Sequence, residues 1–277
     1  MRALGVGPGD RVVGYLPNIP EARSPADPIV IISDIELSVC SRAELAGGFQ
    51  AVIAMLAAAT IGASWSSCSP DFGVGGVLDR FERLQPSLLI CADGYSYGGK
   101  QHDSLEKTAE ILAALPSTPP TVVVPYIAPE RADAPAKLPT DRSMLWSELL
   151  ASGAGAKLDR TPTSFSRPHY IMFSSGTTGA PKCIVQSAGG VLINQLKEQV
   201  LQCSMGPKDN LFYYTTTGWM MWNWMVSNLY PPPVLARTLI PSFFSGERPR
   251  LGRLHHVVRW QSNVARLLGA VEASGGG

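Results

Sequence analysis

The sequence predicts an α/β fold built on a mainly parallel sheet, and three observations carry that expectation. Continuous apolar runs of strand length alternate with segments whose apolar residues recur at helical spacing, and unbroken apolar strands belong to sheets covered on both faces. The composition, 45% hydrophobic and 16% charged over 277 residues, supplies one large core or two modest ones. The same balance carries too little charge for a disordered chain.

The elements follow in chain order. Gly7-Pro8-Gly9-Asp10 predicts a turn and residues 11 to 16 a short apolar strand. Asn18, with Glu21 three residues on, is a capping signature for a helix start. Residues 23 to 50 instead bring Pro25, Pro28, a β-like run at 29 to 32 and a polar stretch ending in Gly47-Gly48, and an uncapped helical segment then starts at Ala51. Joining Ala22 to Val52 would give a capped helix running to Gly62, so residues 23–51 read as an insertion within a helix, such as a retained intron. A family-specific surface loop is the alternative. Residues 64 to 93 read as turn, helix (GVLDRFERL) and buried strand (PSLLICAD); 106 to 115 repeat the helix and 121 to 126 (TVVVPY) the strand. A Pro- and Ala-rich surface linker is expected at 128 to 139 and a short helix at 141 to 151.

Charge and cysteine usage narrow the partners. With 23 basic against 22 acidic residues, a formal +1, no broad surface for nucleic acid or acidic lipid is implied, and small-molecule partners are expected. Cys40, Cys68, Cys91, Cys183 and Cys203 are odd in number, scattered and without a CxxC pair, so neither a disulfide framework nor a zinc site is suggested. The longest uncharged apolar run, 51 to 63, is shorter than the roughly 18 residues of a membrane span, and the N-terminus lacks a signal pattern. A cytoplasmic protein is expected, with no metal site and no membrane partner.

Residues 169 to 190, HYIMFSSGTTGAPKCIVQSAGG, carry the chemistry. A strand at 169 to 173 leads into a loop at 174 to 182, and strand character resumes at 183 to 185. The loop suits polyphosphate. Gly176 and Gly179 let main-chain amides approach an anion, the hydroxyls of Ser174, Ser175, Thr177 and Thr178 donate hydrogen bonds, and Lys182 adds charge. Pro181 stiffens the exit. Neither GxxxxGK[ST] nor GxGxxG is present here, which disfavours a P-loop ATPase and a Rossmann dehydrogenase. Loops of this composition also serve merely as turns, so the composition alone does not decide.

The full string SSGTTGAPK resembles the phosphate-binding signature of the adenylate-forming enzymes, agreeing at nine consecutive positions with [ST]SGTTGxPK. Within that superfamily YYTTTGWMMWNWMVSNL (213 to 229), GDRVVGYLPNIPEA (9 to 22), TIGASWSSCSPDFGVGGVLDRF (60 to 81) and FSSGTTGAPKCIV (173 to 185) resemble acetoacetyl-CoA synthetases in the same order. The resemblance implies a partial large N-terminal domain of the adenylate-forming fold at residues 1–22 and 52–230, with the C-terminal domain absent. It also implies that the Gly-Trp segment lines an acyl pocket, with Trp219, Met220 and Asn223 near the carboxylate substrate. From the residues alone, three Trp and three Met around Asn223 make either an apolar wall or a core helix. GYSYGGK (94 to 100) occupies the place where related enzymes bind phosphates of coenzyme A, with Lys100 the candidate residue and a solvated lysine the alternative. Gln186 and Ser187 depart from the His and Gly that relatives commonly carry, which bears on local nucleotide contacts.

Beyond residue 229 the resemblance stops. Residues 231–277 hold six Arg and two acids, whereas residues 1 to 230 hold 17 basic against 20 acidic residues. A frame change in the gene model is one reading of this tail. An amphipathic helix through Leu254, Val257, Val258, Val264, Leu267, Leu268 and Val271 is the other. Adjacent His255 and His256 would face different sides of a helix and do not suggest a metal.

The resemblance implies ATP-dependent ligation of acetoacetate to coenzyme A through an acyl-adenylate, with ATP, Mg2+ and coenzyme A taking part. No catalytic residue of that reaction is identified here, and the chain as given is expected to lack turnover. The alternatives are an acetyl- or propionyl-CoA synthetase-like ligase and a non-catalytic fragment with a residual phosphate loop. Oligomeric state is not legible.

Overall fold

A computed structural model describes residues 1–18, 50–98, 100–128, 138–174, 179–205, 210–212, 215–227 and 237–239. Its centre is a seven-stranded sheet. In chain order the elements are β1 (Arg11–Tyr15), α1 (Gln50–Thr60), β2 (Ser64–Cys68), α2 (Val74–Leu84), β3 (Leu88–Ala92), β4 (Gly94–Tyr97), β5 (Lys100–Asp103), α3 (Leu105–Ala114), β6 (Thr121–Val124), β7 (Ser143–Leu145), α4 (Trp146–Ser152), β8 (Pro168–Ser174), β9 (Lys182–Ser187), α5 (Ala188–Leu196), β10 (Asn210–Phe212), α6 (Met220–Ser227) and β11 (Arg237–Leu239). The sheet order is β7-β6-β3-β1-β2-β8-β9. All neighbours run parallel except β8 and β9, which form an antiparallel pair. The expected fold class is therefore the observed one.

Both faces of the sheet are covered, which is why its strands are apolar without alternation. On one face Val12, Trp65, Leu88, Ile90 and Tyr170 pack with Ala51, Val52, Ala54, Met55 and Ala58 of α1, Trp146 of α4, Val191 of α5 and Trp222, Met225 and Val226 of α6. On the other, Val13, Tyr15, Leu89, Cys91 and Val123 meet Val77, Phe81 and Leu84 of α2 and Ile111 and Leu112 of α3. Helix α1 follows β1 onto the first face and α2 follows β2 onto the second. Adjacent strands whose connections leave in opposite directions open a crevice at their carboxyl ends.

Local chemistry sets the boundaries. In the first turn Asp10 accepts the Gly7 amide at 2.8 Å and Gly9 takes φ +91°, a conformation that favours glycine. Gly14 is needed in β1 because a Cβ there would lie 2.7 Å from the Trp65 ring. Helix α2 ends at Gln85 in the left-handed conformation, and Arg11 donates to the carbonyls of Leu84 (2.8 Å) and Gln85 (2.6 Å), completing its C-terminus. Buried Asp93 accepts the amides of Tyr126 (2.7 Å), Ile127 (2.9 Å) and Ala128 (3.2 Å), fixing the chain after β6 to the end of β3.

Two expectations are corrected. Residues 64 to 68, read as turn, form β2; two of its serines are partnered by backbone, Ser64 donating to Pro168 O at 3.0 Å and Ser67 to Thr217 O at 2.6 Å. The helix expected at 141 to 151 starts only at Trp146, because Ser143–Leu145 pairs with β6 and Glu148 accepts the Leu145 amide. Residues 94–97 and 100–103, where the sequence suggests no element, form the antiparallel pair β4 and β5, with Tyr95 stacked on His102 at 5.0 Å. The helix start expected after Asn18 lies outside the described residues, and Asn18 itself bonds across the molecule to the Thr215–Trp222 region. Helix α1 opens at Gln50, so all but the last two residues of 23–51 lie outside the described residues; of 231–277 only the backbone of Arg237–Leu239, paired parallel with Asn210–Phe212, is described. The linker at 128–139 is described only at its ends.

Candidate functional site

The loop that sequence reasoning singled out leaves the carboxyl end of β8 and returns as β9, closed by the register pair Ser174 and Lys182. Ser174 is half-buried; Gly179 and Lys182 are exposed, and Gly179 takes φ +136°. Only glycine is at ease there. Ser175, Gly176, Thr177 and Thr178 lie outside the described residues. Of the candidate phosphate-binding residues, the structure thus places Ser174, Gly179 and Lys182 together at one mouth of the hairpin.

Beside this mouth, the segment from Thr215 to Gly218 crosses the carboxyl ends of β1 and β2, in the crevice opened by α1 and α2. The Thr217 hydroxyl donates to Leu16 O at 2.6 Å, with Cys68 O at 3.4 Å, while Thr217 O accepts from Ser67. Asn18 donates to Thr215 O at 2.7 Å and accepts the Trp222 indole N–H at 2.9 Å. Buried polar groups are costly when unmatched, so these bonds fix the segment in place. Gly218 lets it sit close: a Cβ there would lie 3.1 Å from the Phe72 ring and 3.3 Å from Ser69 N.

Helix α6 follows with a split character. Trp219 and Met220 are 65% and 44% exposed at its start, whereas Trp222, Asn223, Met225 and Val226 are buried. Asn223 donates to Met172 Sδ at 3.3 Å and its Oδ1 has no partner. The three candidate acyl-site residues are therefore not equivalent: Trp219 and Met220 face outward beside the crevice, and Asn223 lies one turn deeper against β8.

The remaining candidates fall elsewhere. Lys100 is exposed on the β4–β5 hairpin opposite Tyr97. Gln186 and Ser187 pair with Tyr170 and Pro168, some four strand positions from Lys182, or about 13 Å at the usual rise. They lie away from the loop mouth, and Ser187 has a local task, accepting the Gly190 amide as the N-cap of α5. Sequence reasoning missed Arg80 and Arg83, which lie beside the loop; their only signal was placement on the polar side of an amphipathic helix.

The thiols here are quiet. Burial pushes Cys68 and Cys91 up to about 12 and raises Cys203, and the four described cysteines are free. The buried Tyr15 hydroxyl is also raised, first by desolvation; it lies 3.0 Å from Pro70 O and 2.9 Å from Phe72 O, tethering the 70–72 turn with its one proton. Among the described residues no helix is long and apolar enough to cross a membrane.

Comparison with known proteins accords with this geometry. Residues 46–234 match the family model described as AMP-binding enzyme, a match that begins within the stretch 23–51. The acetoacetyl-CoA synthetase of Rattus norvegicus is 49% identical over 232 residues, covering 83% of this chain and 30% of that protein. The acetoacetyl-coenzyme A synthetase of Rhizobium meliloti is 42% identical over 229 residues, with the same shares. The solved acetoacetyl-CoA synthetase from Streptomyces lividans superposes with a TM-score of 0.68 at 40% identity, covering 87% of this chain and 31% of that one. The chain spans about 30% of the length of the curated relatives it matches, and the family model covers more than half of it. The chain belongs to the AMP-binding enzyme family.

Proposed function

We propose that this chain provides the phosphate-gripping loop and part of the acyl wall of an acetoacetate–coenzyme A ligase. The observation that supports this best is SSGTTGAPK on a hairpin at the carboxyl end of a parallel sheet, beside a Gly-Trp segment held across the strand ends. In the reaction, the acetoacetate carboxylate attacks the α-phosphorus of ATP and pyrophosphate leaves. The coenzyme A thiol then displaces AMP from the acyl-adenylate. Lys182 holds the β- and γ-phosphates, Ser174, Ser175, Thr177 and Thr178 donate to their oxygens, and Gly176 and Gly179 allow close approach of amides. In this reading Trp219 and Met220 present apolar surface to the acyl chain, and Asn223 donates its second Nδ2 hydrogen to the keto oxygen. Lys100 meets a coenzyme A phosphate. Such a site acts by position and charge neutralisation rather than by a covalent step on the protein.

Among the described residues no cluster of three or more His, Cys, Asp or Glu forms a metal site. Mg2+ enters this reading only as the cation that accompanies ATP. The balanced charge is in keeping with small-molecule partners and a cytoplasmic setting.

The test is a chimera of the Rattus norvegicus acetoacetyl-CoA synthetase carrying residues 52–229 of this chain in place of its own. Acetoacetate-dependent exchange of pyrophosphate into ATP is the expected result. Exchange driven by acetate or propionate but not acetoacetate would overturn the substrate, and a folded chimera that fails to exchange with any acid would overturn the reading.

A further inference from the structure

Helix α2 carries two arginines that face the loop rather than bulk solvent alone. Arg83 Nη1 donates to Pro181 O at 3.2 Å, one residue before Lys182. One turn back, the Arg80 guanidinium lies 4.8 Å from the centre of the Phe72 ring and 5.8 Å from that of Phe173, one residue before Ser174. Arg80 is itself fixed, Nη1 donating to Gly76 O within α2. Among the described residues neither guanidinium pairs with a carboxylate. Phe72 in turn underlies Gly218. Helix α2 therefore meets the entrance of the loop through Arg80 and Phe173, its exit through Arg83 and Pro181, and, through Arg80, the Phe72 ring that packs against Gly218.

We infer that Arg80 and Arg83 are positioning residues for polyphosphate binding: they brace β8 at Phe173 and the approach to β9 at Pro181 against α2, so that the paired Ser174 and Lys182 are held in place relative to the 215–218 segment. This rests on the proposed phosphate role of the loop. Neither arginine is placed on the ligand. Their action is mechanical and local, because a guanidinium held over neighbouring rings and a directed N–H to a carbonyl both restrict geometry. A charge acting only at a distance would behave differently, being screened over about 10 Å at 0.1 M salt.

The experiment is calorimetric titration of the full chain with inorganic pyrophosphate at 0.05 M and 0.5 M salt, with amide hydrogen exchange of residues 179–185 without ligand. The variants are R80Q, R83Q, R83K, the double R80Q/R83Q and K182A. Binding by the double variant is expected to weaken about 10-fold at both salt concentrations. Exchange at the loop exit should speed up in R83Q and return towards the parent rate in R83K, with the unfolding midpoint unchanged. If K182A weakens binding while R80Q/R83Q alters neither affinity nor exchange, the brace is overturned and the loop's role stands. If the loss in R80Q/R83Q disappears at 0.5 M salt with exchange unchanged, the arginines act as charges and positioning is overturned. If K182A binds pyrophosphate like the parent, or the parent binds none, the phosphate reading falls and the inference with it.

Discussion

The middle of the sheet and its carboxyl rim are built by different physics. In the middle, β1, β3 and β6 are buried between helices, and most side chains there are apolar groups whose contributions sum over many contacts. At the rim, the 215–218 segment is held by a few directed bonds from Asn18, Ser67 and Thr217 to main-chain oxygens. The first region tolerates exchange of one hydrophobe for another of similar volume. The second depends on the identity of single polar atoms. Stability should therefore reside in the middle and binding geometry at the rim, and substitutions can be chosen to test that division.

The largest effect is expected at Phe81 of α2, fully buried against the sheet. Phe81→Ala should cost about 3–5 kcal/mol in chemical denaturation, and a loss below about 1 kcal/mol would break the contrast. Next is Asn18, whose amide serves both Thr215 O and the Trp222 indole. Asn18→Leu should cost about 2–4 kcal/mol by leaving both groups unmatched, with faster hydrogen exchange confined to residues 215–227; a change spread evenly over the sheet would contradict local control. Thr217→Val removes one bond to Leu16 O and should cost about 1–2 kcal/mol by the same measurement, with the midpoint of unfolding still cooperative.

A smaller effect tests the amino end of β8. Burial, reinforced by Arg167, lowers His169 from 6.5 to about 4. Its folded form therefore binds a proton less readily than the unfolded chain. The stability that depends on neutral His169 is present above pH 6.5 and is lost as pH falls through the window from 6.5 to about 4. Partial exposure keeps the amount to about 1–2 kcal/mol. His169→Gln should flatten the pH dependence of unfolding across that window, and an unchanged slope would refute the assignment.

The same division explains what could be read from the sequence. The runs LLICA and TVVV are legible as buried strands because apolar continuity is their physical cause. SWSSC is not, since β2 draws its partners from Pro168 and Thr217, far away in the chain. Asn18 carries a capping pattern that is purely local, whereas its observed partners lie some two hundred residues on. The loop at 174–182 was visible because glycines, hydroxyls and lysine are chemically unusual together. Arg80 and Arg83 were not visible, because an arginine on an exposed helix face looks alike whether it meets water or a neighbouring hairpin.

The most direct test of the central claim is titration of ATP into the parent chain and into Lys182→Ala, with thermal unfolding measured in parallel. Affinity should fall at least about 10-fold while the unfolding midpoint moves by no more than about 2 °C, since an exposed lysine at the rim adds little to the core. Equal affinity in the two proteins would contradict the assignment of this loop as the grip on the nucleotide's phosphates.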